Sequence, residues 1–315
     1  MEERRCSSEV VADVSKQSAP GKIGVVTVTF GSSEVIPGFF DSLEKQTYRN
    51  FVLIAVDNRS PDRTLEQLRA YRGSEKVIIA NETNLGVAAA NNQGIRIALS
   101  AGCEYVLLLN NDVVFGPDLF QQLVDGMRQY GCDMTTPLIY YYDRPDVIWC
   151  AGGEFQWWAG LRVRHRGAEA VYSGKFKEPK VVNYAPTCCV LFRSEVFGIV
   201  GFMDEAYFVY VDDLDFLYRA WKKGLKMYYL PAAKLWHKVS SLTGAESPFS
   251  VRYNTRNRAY FCRKHLRGLR YLLTSLSFLA WYYIERVRGT YDAEMLNRKL
   301  DHRREGIELA RSQRS

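Results

Sequence analysis

The chain has no CxxC pair and no Cys/His spacing of the kind that holds zinc, although it carries seven cysteines, at 6, 103, 132, 150, 188, 189 and 262. An odd, scattered set argues against a disulfide framework and for reduced thiols in a cytosolic protein. Internal repeats and low-complexity tracts are missing as well. Residues 1–20 lack the apolar stretch of a secretory signal and are expected to form a disordered leader. The most apolar run, YLLTSLSFLAWYYIE (271–285), is too short to cross a bilayer. As a helix, its residues up to Ile284 reach roughly 21 Å, against a hydrocarbon core of about 30 Å. No GxGxxG follows the first strand-like run, which disfavours a nicotinamide-dependent oxidoreductase. No recognised nucleic-acid-binding module is present, so nucleic acid is not an expected partner.

What is there is an ordinary globular composition, 47% hydrophobic and 24% charged over 315 residues, long enough to bury a substantial core. The net charge of +7 is unevenly spread. From Arg252 onward, fifteen Lys and Arg face six Asp and Glu, whereas the preceding residues are slightly acidic. The basicity therefore belongs to the tail.

Strand and helix signals alternate through the first half. KIGVVTVTF (22–30), NFVLIAVDN (50–58), KVIIA (76–80) and EYVLLLN (104–110) read as strands, the first as a strand buried on both faces. Helical spacing follows each, over 33–46, 60–71, 86–102 and 116–131; the second opens with Ser60 as cap and Pro61 at the first helical position. This βαβαβαβα order predicts an α/β fold with a mostly parallel central sheet flanked by helices. Ligands of such sheets sit at the carboxyl ends of the strands. The polar ends FGS, DNRSPD and NND lie there. Short β-type runs fill 132–193, a helix is expected from about Asp212 to Lys223, and a strand should then end at Pro231.

Each polar end has a plain structural reading on its own. Asn110-Asn111-Asp112 fits a capped turn, Asp57 a helix cap, Asp212-Asp213 first-turn carboxylates facing the macrodipole, and His237 a packed histidine. Their order changes the weighting. VVTVTFGS, VDNRSPD, NLGVAAANNQG, LLLNNDVVFGP, CCVLFRSEVFGIVGFMDEAYFVYVDDLDFLYRAWKKG and LPAAKLWH succeed one another from about 23 to 237, and YNTRNRAYF (253–261) extends the series. The chain thereby resembles the inverting nucleotide-sugar glycosyltransferases of family 2, with the GT-A fold, and most closely their rhamnosyltransferase-like branch.

The resemblance implies a donor sugar on a nucleoside diphosphate and a glycan or lipid-linked glycan acceptor. It assigns Asp213 as general base, and Asp112 with His237 as ligands of Mn²⁺ or Mg²⁺. Thr29, Gly31 and Asp57 would meet the nucleoside, Asn110 and Asn111 would flank the metal, and Asn84, Gly86 and Arg256 would lie toward the diphosphate. Two departures stand out. The DxD-like element reads Asn-Asn-Asp, with one carboxylate, and Asp212 replaces the family's usual Glu. The weakened element leaves room for a rival, a catalytically silent scaffold or nucleotide-sugar-binding protein.

Trp157-Trp158 with Tyr140 to Tyr142 are candidates for a sugar-stacking platform or for core, and Cys188-Cys189 read as inert packing. The expected organisation is a leader to 20, a catalytic domain over 21–250 and a basic helical extension over 251–315. Within that extension, 263–288 reads either as an interfacial helix drawn to anionic lipid or as a helix packed on protein or on a second copy. The expected location is the cytoplasm, peripheral at the inner face of the plasma membrane.

Overall fold

The computed structural model describes residues 21–156, 162–238 and 247–313. Strands β1 (Ile23–Thr29), β2 (Phe51–Asp57), β3 (Lys76–Ala80) and β4 (Tyr105–Leu109) pair in parallel in the order β3-β2-β1-β4. Helices α1 (Ile36–Glu44), α2 (Thr64–Ala70) and α3 (Val87–Ser100) connect them, and α4 (Leu119–Tyr130) follows. Every residue of β2 is buried, as an unbroken apolar run requires. Alternation along β1 sends Val25 to one side, with Phe39 of α1 and Phe120 of α4, and Val26 to the other, with Ala88 and Ile95 of α3. The sheet is thus covered on both faces.

Helix α2 starts later than its Ser-Pro pair predicts. Asp62, not Ser60, accepts the Thr64 N–H at 3.1 Å and also the Ser33 N–H at 2.9 Å. The Ser60 hydroxyl is drawn the other way, onto Asp57 Oδ1 at 2.5 Å. A buried strand-end carboxylate outcompetes the helix for that hydroxyl.

The second half widens the sheet. It comprises β5 (Val113–Phe115), β6 (Met134–Tyr141), β7 (Ile148–Cys150), β8 (Gly153–Gln156), β9 (Arg162–His165), β10 (Lys180–Val182), β11 (Cys189–Arg193), α5 (Glu195–Val200), α6 (Asp212–Lys222) and β12 (Met227–His237). Antiparallel β11 joins β4 to β6, giving the order β10-β12-β6-β11-β4-β1-β2-β3, with β5 on β12 and β7 on β6. Strands β8 and β9 form a separate pair. The strand expected to stop at Pro231 continues to His237. Its pairing with β6 shifts between Leu230 and Lys234, a bulge that absorbs the proline's missing N–H, and then resumes beside β5. That continuation carries His237 to the strand ends.

Three helices close the chain: α7 (Pro248–His265), α8 (Gly268–Val287) and α9 (Ala293–Ser312). Tyr260 and Phe261 of α7 share a core with Leu214, Phe216 and Leu217 of α6. The first helix of the expected extension is therefore built into the catalytic body.

Candidate active site

Parallel register sets Thr29 opposite Asp57 at the ends of β1 and β2. The Thr29 hydroxyl donates to Asp57 Oδ1 at 2.9 Å and the Ser60 N–H to Oδ2 at 3.0 Å. Ser60 Oγ in turn accepts the N–H of Gly31, which takes the left-handed φ of +63°. Asp57 is 1% exposed, so its carboxylate braces the loops on both sides of the cleft.

At the end of β4 the three polar residues divide their work. The Asn111 amide donates to the Val28 carbonyl at 2.6 Å, tying the end of β4 to β1. The Asn110 N–H donates to the Cys188 carbonyl at 3.0 Å and leaves its side chain exposed. Asp112 lies 3.2 Å from His237 Nε2, through Oδ1. The terminal pairing of β12 with β5, His237 opposite Val113, holds them together. Two donors in cis positions about 2.1 Å from one octahedral ion stand about 3 Å apart, so the spacing fits a shared divalent cation. A carboxylate and an imidazole suit Mn²⁺ or Mg²⁺. Among the described residues no group of three or more His, Cys, Asp or Glu is placed to hold a metal, so further ligands would come from water and the diphosphate. The Trp149 ring packs against the His237 imidazole in a T-shaped contact, 4.6 Å between centroids.

Asp213 stands in the first turn of α6. Its Oδ2 accepts the Tyr184 hydroxyl at 2.7 Å and its Oδ1 the Leu214 N–H at 2.6 Å. Burial pushes the carboxyl above the usual range, while these two donors and His165 pull it back. Next to it Asp212, 4% exposed, is pushed up to about 8 by burial and by the charge of Asp213. Removal from water is the largest influence on Asp213.

A row of rings connects the two acids. Trp149 meets His237 on one side and His165 on the other, at 4.6 and 5.2 Å between centroids. His165 stacks on Tyr184 at 5.8 Å, and Tyr184 reaches Asp213. Cys188 lies between the ends of this row. Its thiol is pushed up by burial first, then by Cys189, and then by the charges of both Asp112 and Asp213. Trp149, His165 and Tyr184 were invisible to the sequence reading, because the irregular β segments of 148–184 offer no periodicity that would aim them.

The three residues expected toward the diphosphate also make contacts within the chain. Asn84 Oδ1 accepts the Gly86 N–H at 2.9 Å. Gly86, at φ +84°, leaves space that a Cβ would deny, 2.5 Å from the ring and carbonyl of Phe208. The Val87 N–H at the start of α3 is taken by that same carbonyl. Arg256 sends Nη2 to the Ala206 and Tyr207 carbonyls at 2.6 and 3.0 Å and Nε to Asn257 at 2.8 Å. Asn257, 0% exposed, donates to the carbonyls of Tyr207, Val209 and Tyr210. Arg256 and Asn257 grip the loop before Asp212, and Gly86 lets it approach; there Phe208, Tyr210 and Val211 hold positive φ of 64°, 62° and 68°. Backbone strain of this kind persists only where the surroundings over-determine it.

Of the stacking candidates, Tyr140 is core, stacked on Trp236 at 5.8 Å, and the Tyr141 hydroxyl donates to Glu169. Tyr142 is exposed beneath Lys238. Trp157 and Trp158 lie outside the described residues. Cys188 and Cys189 are buried free thiols with raised pKa, in keeping with inert packing.

A family model described as "Glycosyl transferase family 2" matches residues 24–198, more than half of the chain, and the chain belongs to that family of glycosyltransferases. Its relatives narrow the field. It is 29% identical over 242 residues to the N-acetylglucosaminyl-diphospho-decaprenol L-rhamnosyltransferase of Mycobacterium tuberculosis, covering 70% of this chain and 78% of that one. It is 23% identical over 227 residues to the dTDP-rhamnosyl transferase RfbF of Shigella flexneri, covering 69% and 72%. Among solved structures, S. aureus TarS 1-349 in complex with UDP superposes with a TM-score of 0.54 at 16% identity over 94% of this chain and 91% of that one. That likeness is one of fold, and the fold is GT-A.

Proposed function

We propose that this enzyme transfers a sugar, with rhamnose first to be tested, from a nucleoside-diphosphate donor to a hydroxyl of a lipid-linked glycan, inverting the anomeric carbon. The observation that carries the reading is the row of contacts that joins Asp112–His237 to Asp213 through Trp149, His165 and Tyr184. Inversion needs a base on the face opposite the leaving group, and these two acids supply separate stations for base and leaving group. Two relatives with rhamnosyltransferase names support the choice of donor.

Thr29, Asp57 and the Gly31–Ser60 loop would frame the nucleoside, and Asn110 the ribose. Asp112 and His237 would hold Mn²⁺ or Mg²⁺. Such an ion, when bound, offsets the charge that develops on the leaving diphosphate. Asp213 would take the proton of the acceptor hydroxyl as that oxygen bonds to C1 and the C1–O bond to the diphosphate breaks. Burial makes Asp213 a stronger base than a solvated carboxylate, and Tyr184 orients it.

The test is a panel of nucleotide sugars, dTDP-rhamnose included, scored by thermal shift with Mn²⁺ or with chelator. One donor should raise the melting temperature of the wild type in a metal-dependent way, and Asp112→Ala should weaken that dependence at least tenfold. A donor shift equal in wild type, Asp112→Ala and chelator would remove the metal from the reading. Donor binding without turnover by any acceptor would favour the silent scaffold.

A further inference from the structure

Among the described residues, helix α8 is covered on one side only. Thr274 and Tyr282 are its buried residues, Ser275 accepts from Arg303 of α9, and Phe278 lies under Arg258 of α7. On the other side Leu269, Leu272, Leu273, Leu276, Ile284 and Val287 are 47% to 89% exposed. Steps of three and four place them on one stripe along a helix about 30 Å long. A bare apolar stripe of that size marks an interaction surface.

The charges around the stripe select its occupant. Arg267 and Arg270 stand exposed at its start and Arg286 at its end, and none has an ion-pair partner among the described residues. Glu285, the one acid of α8, already pairs with Arg288 at 3.2 Å. At the start of the stripe, Lys222 from the end of α6 joins Arg267 and Arg270 around an open cleft lined also by Trp221 and Leu266. A second copy laid along α8 would set cations against cations in either direction, with no acid of α8 left to relieve them. An anionic lipid surface matches both features: acyl chains for the stripe and phosphates for its cationic ends. No helix of the described residues is long and apolar enough to cross a membrane, so α8 would lie in the interface.

We propose that α8, with the Lys222–Arg267–Arg270 cleft, docks the enzyme flat on an anionic bilayer. The surface shares no residue with the transfer site and stands whichever sugar is moved. Its placement is nonetheless apt. Trp221 at the cleft and Asp213 at the base position lie on the same helix, eight residues and about 12 Å apart. A docked enzyme would hold its reaction centre close to the headgroups that present a lipid-linked acceptor.

Vesicle flotation of the full chain tests this. Vesicles of equal phosphatidylcholine and phosphatidylglycerol should carry at least about tenfold more protein than phosphatidylcholine alone, and added salt should reduce the difference. Leu272→Glu/Leu276→Glu and, separately, Arg267→Glu/Arg270→Glu should fall to the neutral-vesicle level while melting as the wild type does. Both should retain turnover of a soluble acceptor, which separates a failure of docking from a failure of the transfer reading. Wild type that ignores anionic vesicles, or variants that float as wild type does, would overturn the proposal. So would a wild-type dimer in light scattering that Leu272→Glu/Leu276→Glu dissolves, which would make a second copy the occupant.

Discussion

Asp213 and Asp215 are two residues apart on α6, yet the protein treats them in opposite ways. A step of two turns the side chain by about 200°, from the cleft to the interior. Asp215, 0% exposed, meets His265 at 2.6 Å, Lys264 at 2.7 Å, Arg219 at 2.8 Å and the Tyr207 hydroxyl at 3.0 Å. Burial opposes its ionisation, but the His265 hydrogen bond and the charges of Lys264 and Arg219 together hold it well below the usual carboxylate range. Asp213 has no ion pair among the described residues, and burial prevails. One acid is locked as an anion that ties α6 to α7. The other has its carboxyl pushed up by burial.

The contrast breaks most visibly by substitution. Asp213→Asn should lower turnover by about 10²- to 10⁴-fold while leaving donor binding and melting temperature near wild type. Unchanged turnover would take Asp213 out of the base role. Asp215→Asn should do the reverse. Leaving Lys264 and Arg219 short of their anion should cost about 3–5 kcal/mol of stability in denaturant titration, with turnover per folded molecule kept within severalfold.

The loop that leads into α6 sharpens the comparison. Asn257→Ala frees three carbonyls of a loop whose backbone is strained, which should cost about 1–3 kcal/mol of stability. A displaced base costs rate more than binding, so kcat should drop about tenfold or more with donor KM little changed. Equal changes in kcat and KM would mean that the loop contributes to binding instead.

This division shows what the sequence could and could not disclose. Buried parallel strands must be apolar runs, so β1, β2 and β4 were readable, and the polar residues ending them marked the site. Asp112, His237 and Asp213 were singled out by the succession of motifs. Direction was not. VDDLD offers three acids, and only packing against Lys264 and His265 tells which one is structural. Nor could the motifs show that Arg256 bonds the carbonyls of the loop before Asp212, or that Gly86 packs against Phe208 of the same loop. Pro231 looked like a stop because a strand loses a donor there; a bulge is the other solution, and it alone brings His237 to Asp112.

Tyr184 gives the finest test, because it belongs wholly to the segment that the sequence left unaimed. Its hydroxyl donates to the ionised Asp213 and so favours that form. Tyr184→Phe removes the donor and raises the carboxyl further. The active, ionised form then needs a higher pH, and the acidic limb of the kcat/KM profile should move up by about one unit, the equivalent of about 1.4 kcal/mol. The direction matters more than the size. A general base loses activity as pH falls through its pKa, so an upward move ties that limb to Asp213. A limb that stays in place in Tyr184→Phe would assign it to another group, with His165, whose pKa burial lowers, the first to examine.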